Sequence, residues 1–307
     1  MRPFARLPLV GPAGEPVSLW RTIASNGIVE LPPMRVDEVA RTLEVTLPVG
    51  ARRPRTVFVS GGADGSAEIA VSGRAPGARE AAALLERVRW VLRLGADLAP
   101  FYAIAAEDPE LAWAARGAGR IIRAPTVFED VVKTICTTNC AWSATERMVS
   151  ALVEHLGEPA HGAPASGPYG RAFPTPAAMA AAGEDFYRDT VRAGYRGRYL
   201  RELADAVASG SLDLEELGRA LPEDLSDDEV EARLLALPGV GPYAAAHVML
   251  MLGRYSRLVL DSWTRPKYAS VVGRRTKDAI VVRRFRRYGR FAGLAFWLTV
   301  TRDWVDD

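Results

Sequence analysis

A solitary aspartate, a pair of glycines and a run of arginines are the residues whose type and spacing could do chemistry. Asp261 follows the apolar triplet Leu258-Val-Leu260 and precedes Ser262 and Trp263. A carboxylate in that setting can cap a helix or stabilise positive charge developing on a bound molecule. Twenty residues upstream of it, Gly239-Val-Gly241 is followed by Pro242. Two residues without side chains let an anion approach the free N–H groups where the next helix starts, and the helix field favours negative charge there. Such a contact holds a phosphate without reading sequence; the bland alternative is an ordinary connection between two helices. From Arg254 to Arg290 twelve Lys/Arg stand against two Asp, a net of +10 inside a chain whose formal charge is +2. On charge alone this run fits a polyanion surface or a solvated helical face. Only two cysteines occur, Cys136 and Cys140, so the chain alone cannot hold an iron–sulfur cluster or a zinc ion on four thiolates. His155, His161 and His247 lack ligand-like spacing, and no cofactor is expected.

These residues need elements to position them. The chain has 307 residues, 49% hydrophobic and 25% charged, which suits a globular protein of about two domains. No apolar run reaches the roughly 18 residues of a membrane span and no leader pattern opens the chain, so a cytoplasmic protein without membrane contact is expected. Between Gly27 and Gly73, short apolar stretches (28–31, 43–48, 56–59, 68–71) alternate with turns. They predict an antiparallel sheet with one open face, including a hairpin through Ser60-Gly-Gly-Ala-Asp-Gly-Ser66. After Gly77 the apolar period becomes helical, beginning with Leu84, Leu85, Val88, Val91 and Leu92. Phe128, Val131, Val132, Ile135, Met148 and Leu152 extend it. Cysteines four apart on one helix hold their Cβ atoms roughly 5–6 Å apart, so a disulfide would need that helix to end between them. Ser226 with Glu229 forms a capping box, Val230, Leu234 and Leu237 give the buried side, and Pro238-Gly239 stops the helix. Pro242 opens its partner from the tolerated first position. A last helix is expected over 278–298, with Ile280, Val281, Phe285, Phe291 and Leu294 inward and Arg283, Arg284, Arg286, Arg287 and Arg290 outward. The reading is a mostly α protein with an N-terminal antiparallel sheet: residues 1–115 form a sheet domain with a flanking helix, and 116–307 a helical domain containing a helix-hairpin-helix at 226–252.

The pattern Leu-Pro-Gly-Val-Gly-Pro-Tyr-Ala-Ala-Ala246, with Asp261 beyond it, resembles the helix-hairpin-helix DNA glycosylases. The likeness is greater to the 8-oxoguanine DNA glycosylase branch than to 3-methyladenine DNA glycosylase II, and covers roughly 128–304. It implies base excision from duplex DNA with a damaged base by a monomer, with Asp261 as the catalytic carboxylate at the sugar of a flipped nucleotide. It further implies Asn139 and Tyr195 filling the vacated space, Arg196 on the opposite base, and Gly239, Gly241 and Tyr243 at a phosphate. A base pocket of His247, Met251, Trp263, Phe296 and Val300 is implied, as is a monovalent cation, Na+ or K+, on the backbone carbonyls of Leu235, Leu237 and Val240. The sequence departs from the family where bifunctional members carry a lysine, a position held here by Tyr243, and a phenol cannot form the Schiff base of strand cleavage. Lys267, six residues past Asp261, is a remote substitute. His247, Trp263 and Phe296 replace a cysteine, a histidine and a base-reading glutamine, and an aromatic wall favours electron-poor or cationic bases. The expectation is a monofunctional glycosylase acting on an alkylated, deaminated or oxidised purine, 8-oxoguanine included. The alternative is a protein that binds lesions or distorted DNA without cutting.

Overall fold

The computed structural model describes residues 1–50 and 52–304. Five strands, β1 (Arg2–Pro8), β2 (Met34–Asp37), β3 (Thr42–Val49), β4 (Arg52–Gly61) and β5 (Ser66–Val71), form one antiparallel sheet in the order β1-β5-β4-β3-β2. Register places Val45 opposite Val57 and Val57 opposite Val71. Strand residues of one parity, including Leu43, Val45, Val59 and Ile69, therefore share a face. They are buried against Leu84, Val88 and Val91 of helix α2 (Ala78–Val91), while Phe58, Ser60, Glu68 and Ala70 stay half-exposed on the other face. The hairpin between β4 and β5 is present, its left-handed position taken by Gly65 at φ 73°.

The expected strand at 28–31 is instead a 3-10 turn, Gly27–Glu30, and a short helix α1 (Leu19–Ile23) precedes it. The Asn26 side chain accepts the Ile28 N–H, which closes a turn, and Pro32 and Pro33 have no N–H to continue a ladder. Strands β1 and β2 are the two sheet edges, where short pairing gives little periodic signal.

The remaining helices are α3 (Ala99–Ala106), α4 (Val127–Thr137), α5 (Trp142–Leu156), α6 (Pro176–Ala181), α7 (Arg196–Ala208), α8 (Glu215–Arg219), α9 (Asp227–Leu235), α10 (Pro242–Leu252), α11 (Thr264–Val272), α12 (Asp278–Phe285) and α13 (Ala292–Val300). They share a second core in which α10 is central, its residues from Val248 to Leu252 all buried. Ile28, Leu31 and the segment from Leu98 to Ala114 pack into this helical core as well. Among the described residues no helix is long and apolar enough to cross a membrane. Helix α4 does end between Cys136 and Cys140, yet both thiols are free. The helix expected over 278–298 is broken: a 3-10 turn with Gly289 at φ 54°, ψ −126° separates α12 from α13, and Ile280 is exposed.

Candidate functional site

The capping box of Ser226 and Glu229 forms as the sequence predicts, and Val230, Leu234 and Leu237 are buried beneath it. Gly239 takes φ 78°, and Val240 is buried between the two helices. A Cβ at Gly239 would lie 2.8 Å from Tyr199 Cδ2 on α7, so a side chain is excluded by both conformation and space. Gly241 is extended, and nothing lies within 4 Å of where its Cβ would be, so its surroundings are open.

Beyond this hairpin the chain reaches Asp261, which stands on the wall of a cavity of about 740 Å³. One carboxylate oxygen, Oδ1, accepts the amide hydrogens of Trp263 at 3.1 Å and Thr264 at 2.6 Å, while Thr264 Oγ1 accepts the Asp261 N–H at 2.9 Å. Asp261 thus caps the start of α11 with one oxygen. Among the described residues, Oδ2 takes no hydrogen bond. Trp263 projects beside it, 40% exposed, with ring centroids 5.1 Å from Trp304 and 6.1 Å from Trp297. These three indoles line the cavity with Tyr243 and His247.

Tyr243 and His247, one turn apart on α10, are linked at 3.2 Å from hydroxyl to Nδ1. The hydroxyl also lies 3.2 Å from Thr137 Oγ1, and His247 Nε2 lies 3.3 Å from Asn26 Oδ1. Burial pushes the His247 imidazole down to about 4, Asp261 acting in the opposite sense. Burial pushes the Tyr243 hydroxyl up to about 12, and the nearby Asp261 charge adds to it. Both groups are therefore neutral at pH 7.

Sequence reasoning did not find the rest of the cavity wall. Trp20, Asn26, Glu30, Val36 and Glu38 come from the N-terminal segment, and Trp142 from the start of α5. Burial pushes the Glu30 carboxyl up, and Glu146 and Glu38 act in the same sense. The signal available in the sequence was the Trp, Asn and Glu content of 20–38, which carries no periodicity or motif.

Of the five residues expected in a base pocket, His247 and Trp263 are on the wall. Met251, Phe296 and Val300 are not; all three are completely buried in the helical core, Phe296 against Phe285 and Tyr268. Trp297, one residue on, lines the cavity instead, its indole N–H donating to the Ser25 carbonyl at 2.7 Å. Asn139 and Tyr195 come together, Asn139 Nδ2 donating to the Tyr195 hydroxyl at 3.2 Å, with Tyr195 55% exposed and Asn139 at φ 46°. That donated hydrogen bond lowers the Tyr195 hydroxyl below the usual phenol range. Arg196 does not share their exposure. It is buried, donates to the Thr138 carbonyl and to Thr138 Oγ1, and lies over the Tyr195 ring, because the loop carbonyl after α4 needs a donor. Here it braces the loop rather than reaching outward. Leu235 and Leu237 lie at the end of α9, and the Leu237 carbonyl accepts the Val240 N–H at 3.2 Å. Lys267 is paired with Asp303, itself on the cavity wall.

The cationic segment divides in two. Arg254, Arg257, Arg265, Lys267, Arg284 and Arg287 are paired with carboxylates. Arg274, Arg275, Lys277, Arg283, Arg286 and Arg290 are exposed without an acidic partner among the described residues, which concentrates available positive charge around α12.

No family model and no curated protein sequence matches this chain. Solved structures do match, at sequence identities that establish a common fold. A 3-methyladenine DNA glycosylase from Archaeoglobus fulgidus superposes with a TM-score of 0.73 at 19% identity, over 98% of this chain and 99% of its own. An 8-oxoguanine glycosylase/lyase from Clostridium acetobutylicum in its apo form gives 0.69 at 19%, over 92% of each chain. The same enzyme with double-stranded DNA containing cytosine opposite 8-oxoguanine gives 0.70 at 20%, over 94% of this chain and 92% of that one. The α-helical body with its five-stranded antiparallel sheet is the fold of these DNA glycosylases.

Proposed function

We propose that this chain is a DNA glycosylase that excises an alkylated purine from duplex DNA by hydrolysis, without cutting the strand. The observation that carries the reading is Asp261: a carboxylate with one oxygen fixed by two backbone amides and the other unbonded, on the wall of a tryptophan-lined cavity large enough for a base. The fold shared with DNA glycosylases supports it.

An everted base enters between the indoles, which offset its lost stacking. The C1′–N bond breaks with its electron pair leaving on the base, and the Asp261 carboxylate stabilises the positive charge left on the sugar. Water then adds to C1′, and Asp261 takes its proton. An alkylated purine that is already cationic departs neutral and needs no proton donor. This matters because Tyr243 and His247, two cavity groups that feel the Asp261 charge, are held neutral and tied to one another. An uncharged oxidised or deaminated purine would need an acid that this part of the wall does not supply.

Strand cleavage by lysine has no obvious agent. Tyr243 occupies the family's lysine position, no lysine among the described residues lines the cavity, and Lys267 is engaged by Asp303. The exposed cations around α12 and the amides at Gly239 and Gly241 would hold phosphates, each one neutralised steepening the log–log fall of affinity with salt by about 0.9. Asn139 and Tyr195 would occupy the gap left in the stack. A Na+ or K+ ion would fit the carbonyls of Leu235, Leu237 and Val240, since the first two lie at the negative end of α9, and it would tie the hairpin to the phosphate.

The test is release of free base from duplexes carrying 3-methyladenine, hypoxanthine or 8-oxoguanine, with breaks developed by heat or alkali. Release of 3-methyladenine, breaks only after treatment and loss of release in Asp261→Asn are expected. Equal release by the two proteins ends the mechanism. Tight lesion binding with no release from any duplex points to a binding protein instead.

A further inference from the structure

The chain's two cysteines stand on either side of the end of α4 at Thr137, which removes the helical spacing that would keep them from bridging. The Cys140 thiol is folded back over that end. Its Sγ lies 3.2 Å from the Cys136 carbonyl oxygen and 3.4 Å from Thr145 Oγ1, which itself donates to the same carbonyl at 3.0 Å. Cys140 is partly exposed and lines the cavity, whereas Cys136 is completely buried. Cys140 also directly precedes Ala141, the cap of α5, and the start of a helix favours a thiolate over a thiol. Burial pushes the Cys136 thiol the other way, up to about 12, with Arg196 opposing. One thiol is therefore open to a reagent entering the cavity, and the other is closed to it. Between them runs the loop that carries half of the proposed wedge. Arg196 donates to the Thr138 carbonyl and hydroxyl, and Asn139, at φ 46°, donates from Nδ2 to the Tyr195 hydroxyl at 3.2 Å.

We propose that Cys140 is a site of oxidation by hydrogen peroxide and that Cys136 resolves it, closing a disulfide around the wedge loop. The Cys140 sulfur attacks one peroxide oxygen, the O–O bond breaks, the departing oxygen takes the thiol proton and leaves as water, and Cys140 becomes a sulfenic acid. The Cys136 sulfur then attacks the Cys140 sulfur, the S–O bond breaks, and the leaving hydroxide takes the Cys136 proton as a second water. Each sulfur gives up one electron, and the peroxide is reduced to two waters. The bridge brings the two Cβ atoms to about 3.8 Å. The three residues inside the ring, Thr137, Thr138 and Asn139, must then take a new path, and Asn139 leaves the Tyr195 hydroxyl. Resting on the glycosylase reading above, oxidation withdraws part of the wedge and slows base release.

In the experiment the full chain is treated with hydrogen peroxide, remaining thiols are alkylated in denaturant, and the tryptic peptide 134–147, which holds both cysteines, is weighed. Wild type is expected to give a peptide about 2 Da lighter than the reduced one, closed to alkylation until dithiothreitol is added. Cys136→Ser should stop at sulfenic or sulfinic acid on Cys140, and Cys140→Ser should keep Cys136 reduced. Thermal melting reports folding, and Cys136→Ala or Cys140→Ala replaces a serine variant that fails to fold. Loss of the Asn139 bond is read at Tyr195, whose hydroxyl is lowered by it. In the oxidised protein that hydroxyl should return to the usual phenol range, seen by ultraviolet pH titration of wild type against Tyr195→Phe. Release of 3-methyladenine should fall roughly tenfold on oxidation, about the effect of one lost hydrogen bond, and recover with dithiothreitol. Sulfinic acid without a bridge in wild type, or oxidation of Cys136 in Cys140→Ser, overturns the proposal. So does a bridge that leaves either the Tyr195 titration or an existing release activity unchanged. Absence of release by the reduced protein counts against the glycosylase reading alone, because mass and titration still decide this one.

Discussion

The part of the cavity wall built from α10, the Asp261 loop and the C-terminal tryptophans differs in kind from the part built from residues 20–38 and Trp142. The first is anchored in the helical core: α10 is almost wholly buried, and Asp261 is locked by two amides and a threonine hydroxyl. The second is built largely on a 3-10 turn, whose Ile28 also reaches the helical core, and a four-residue edge strand. The first carries the group proposed to meet the sugar; the second carries the Glu30 and Glu38 carboxylates, which can discriminate among bases by charge. They meet where His247 meets Asn26. A reacting charge must be held within a fraction of an ångström, which elements packed into the core achieve.

If this division is right, substitutions on the first wall should change rate and those on the second should change preference. The largest effect is expected from Asp261→Asn, which should slow base release by roughly 10²- to 10³-fold or more and leave duplex affinity unchanged in a filter-binding titration. Next comes the seam. His247 is held neutral with its folded value lowered to about 4, so the unfolded chain binds the extra proton first as pH falls below about 6.5. Wild-type stability should drop between pH 6.5 and 4, by no more than about 3 kcal/mol relative to His247→Gln; urea denaturation at a series of pH values reads the difference. Trp263→Ala should lower kcat/KM for base release by about 1 to 3 kcal/mol through lost stacking of the everted base, read in the same release assay. The smallest change is predicted for Glu30→Gln, a several-fold loss of preference for a cationic over a neutral base. Because the Glu30 carboxyl is raised, wild type should lose the same preference on acidification before an ordinary glutamate would protonate. A rate effect from Glu30 as large as that from Asp261 would break the comparison.

The first wall was largely legible in the sequence because its signals are local. A capping box, a Pro-Gly stop, a proline at the first helical position and an aspartate after an apolar triplet each act within one or two turns. The second wall was not, because a 3-10 turn closed by one asparagine has no period to detect, and its place at the cavity is decided by contacts with α10 more than 200 residues away in sequence. Phe296 and Trp297 show a different failure. The resemblance put Phe296 in the pocket, whereas Phe296 packs in the core against Tyr268 and Phe285 and its neighbour Trp297 lines the wall. Arg196 was placed on an opposite base by the resemblance, whereas its guanidinium donates to the Thr138 carbonyl after α4.

The missing side chain at Gly239 lets the hairpin press directly on Tyr199, and the Tyr199 ring in turn lies 6.0 Å from that of Tyr195, centroid to centroid. The proposed grip and the proposed wedge thereby share one support. If a phosphate seats at the glycines as proposed, the step at which Tyr195 would pry the helix open would be measured off by the protein as by a fixed gauge. Which nucleotide swings out would be dictated by its distance from the clamped phosphate, and the chemistry of the base would be consulted only afterwards.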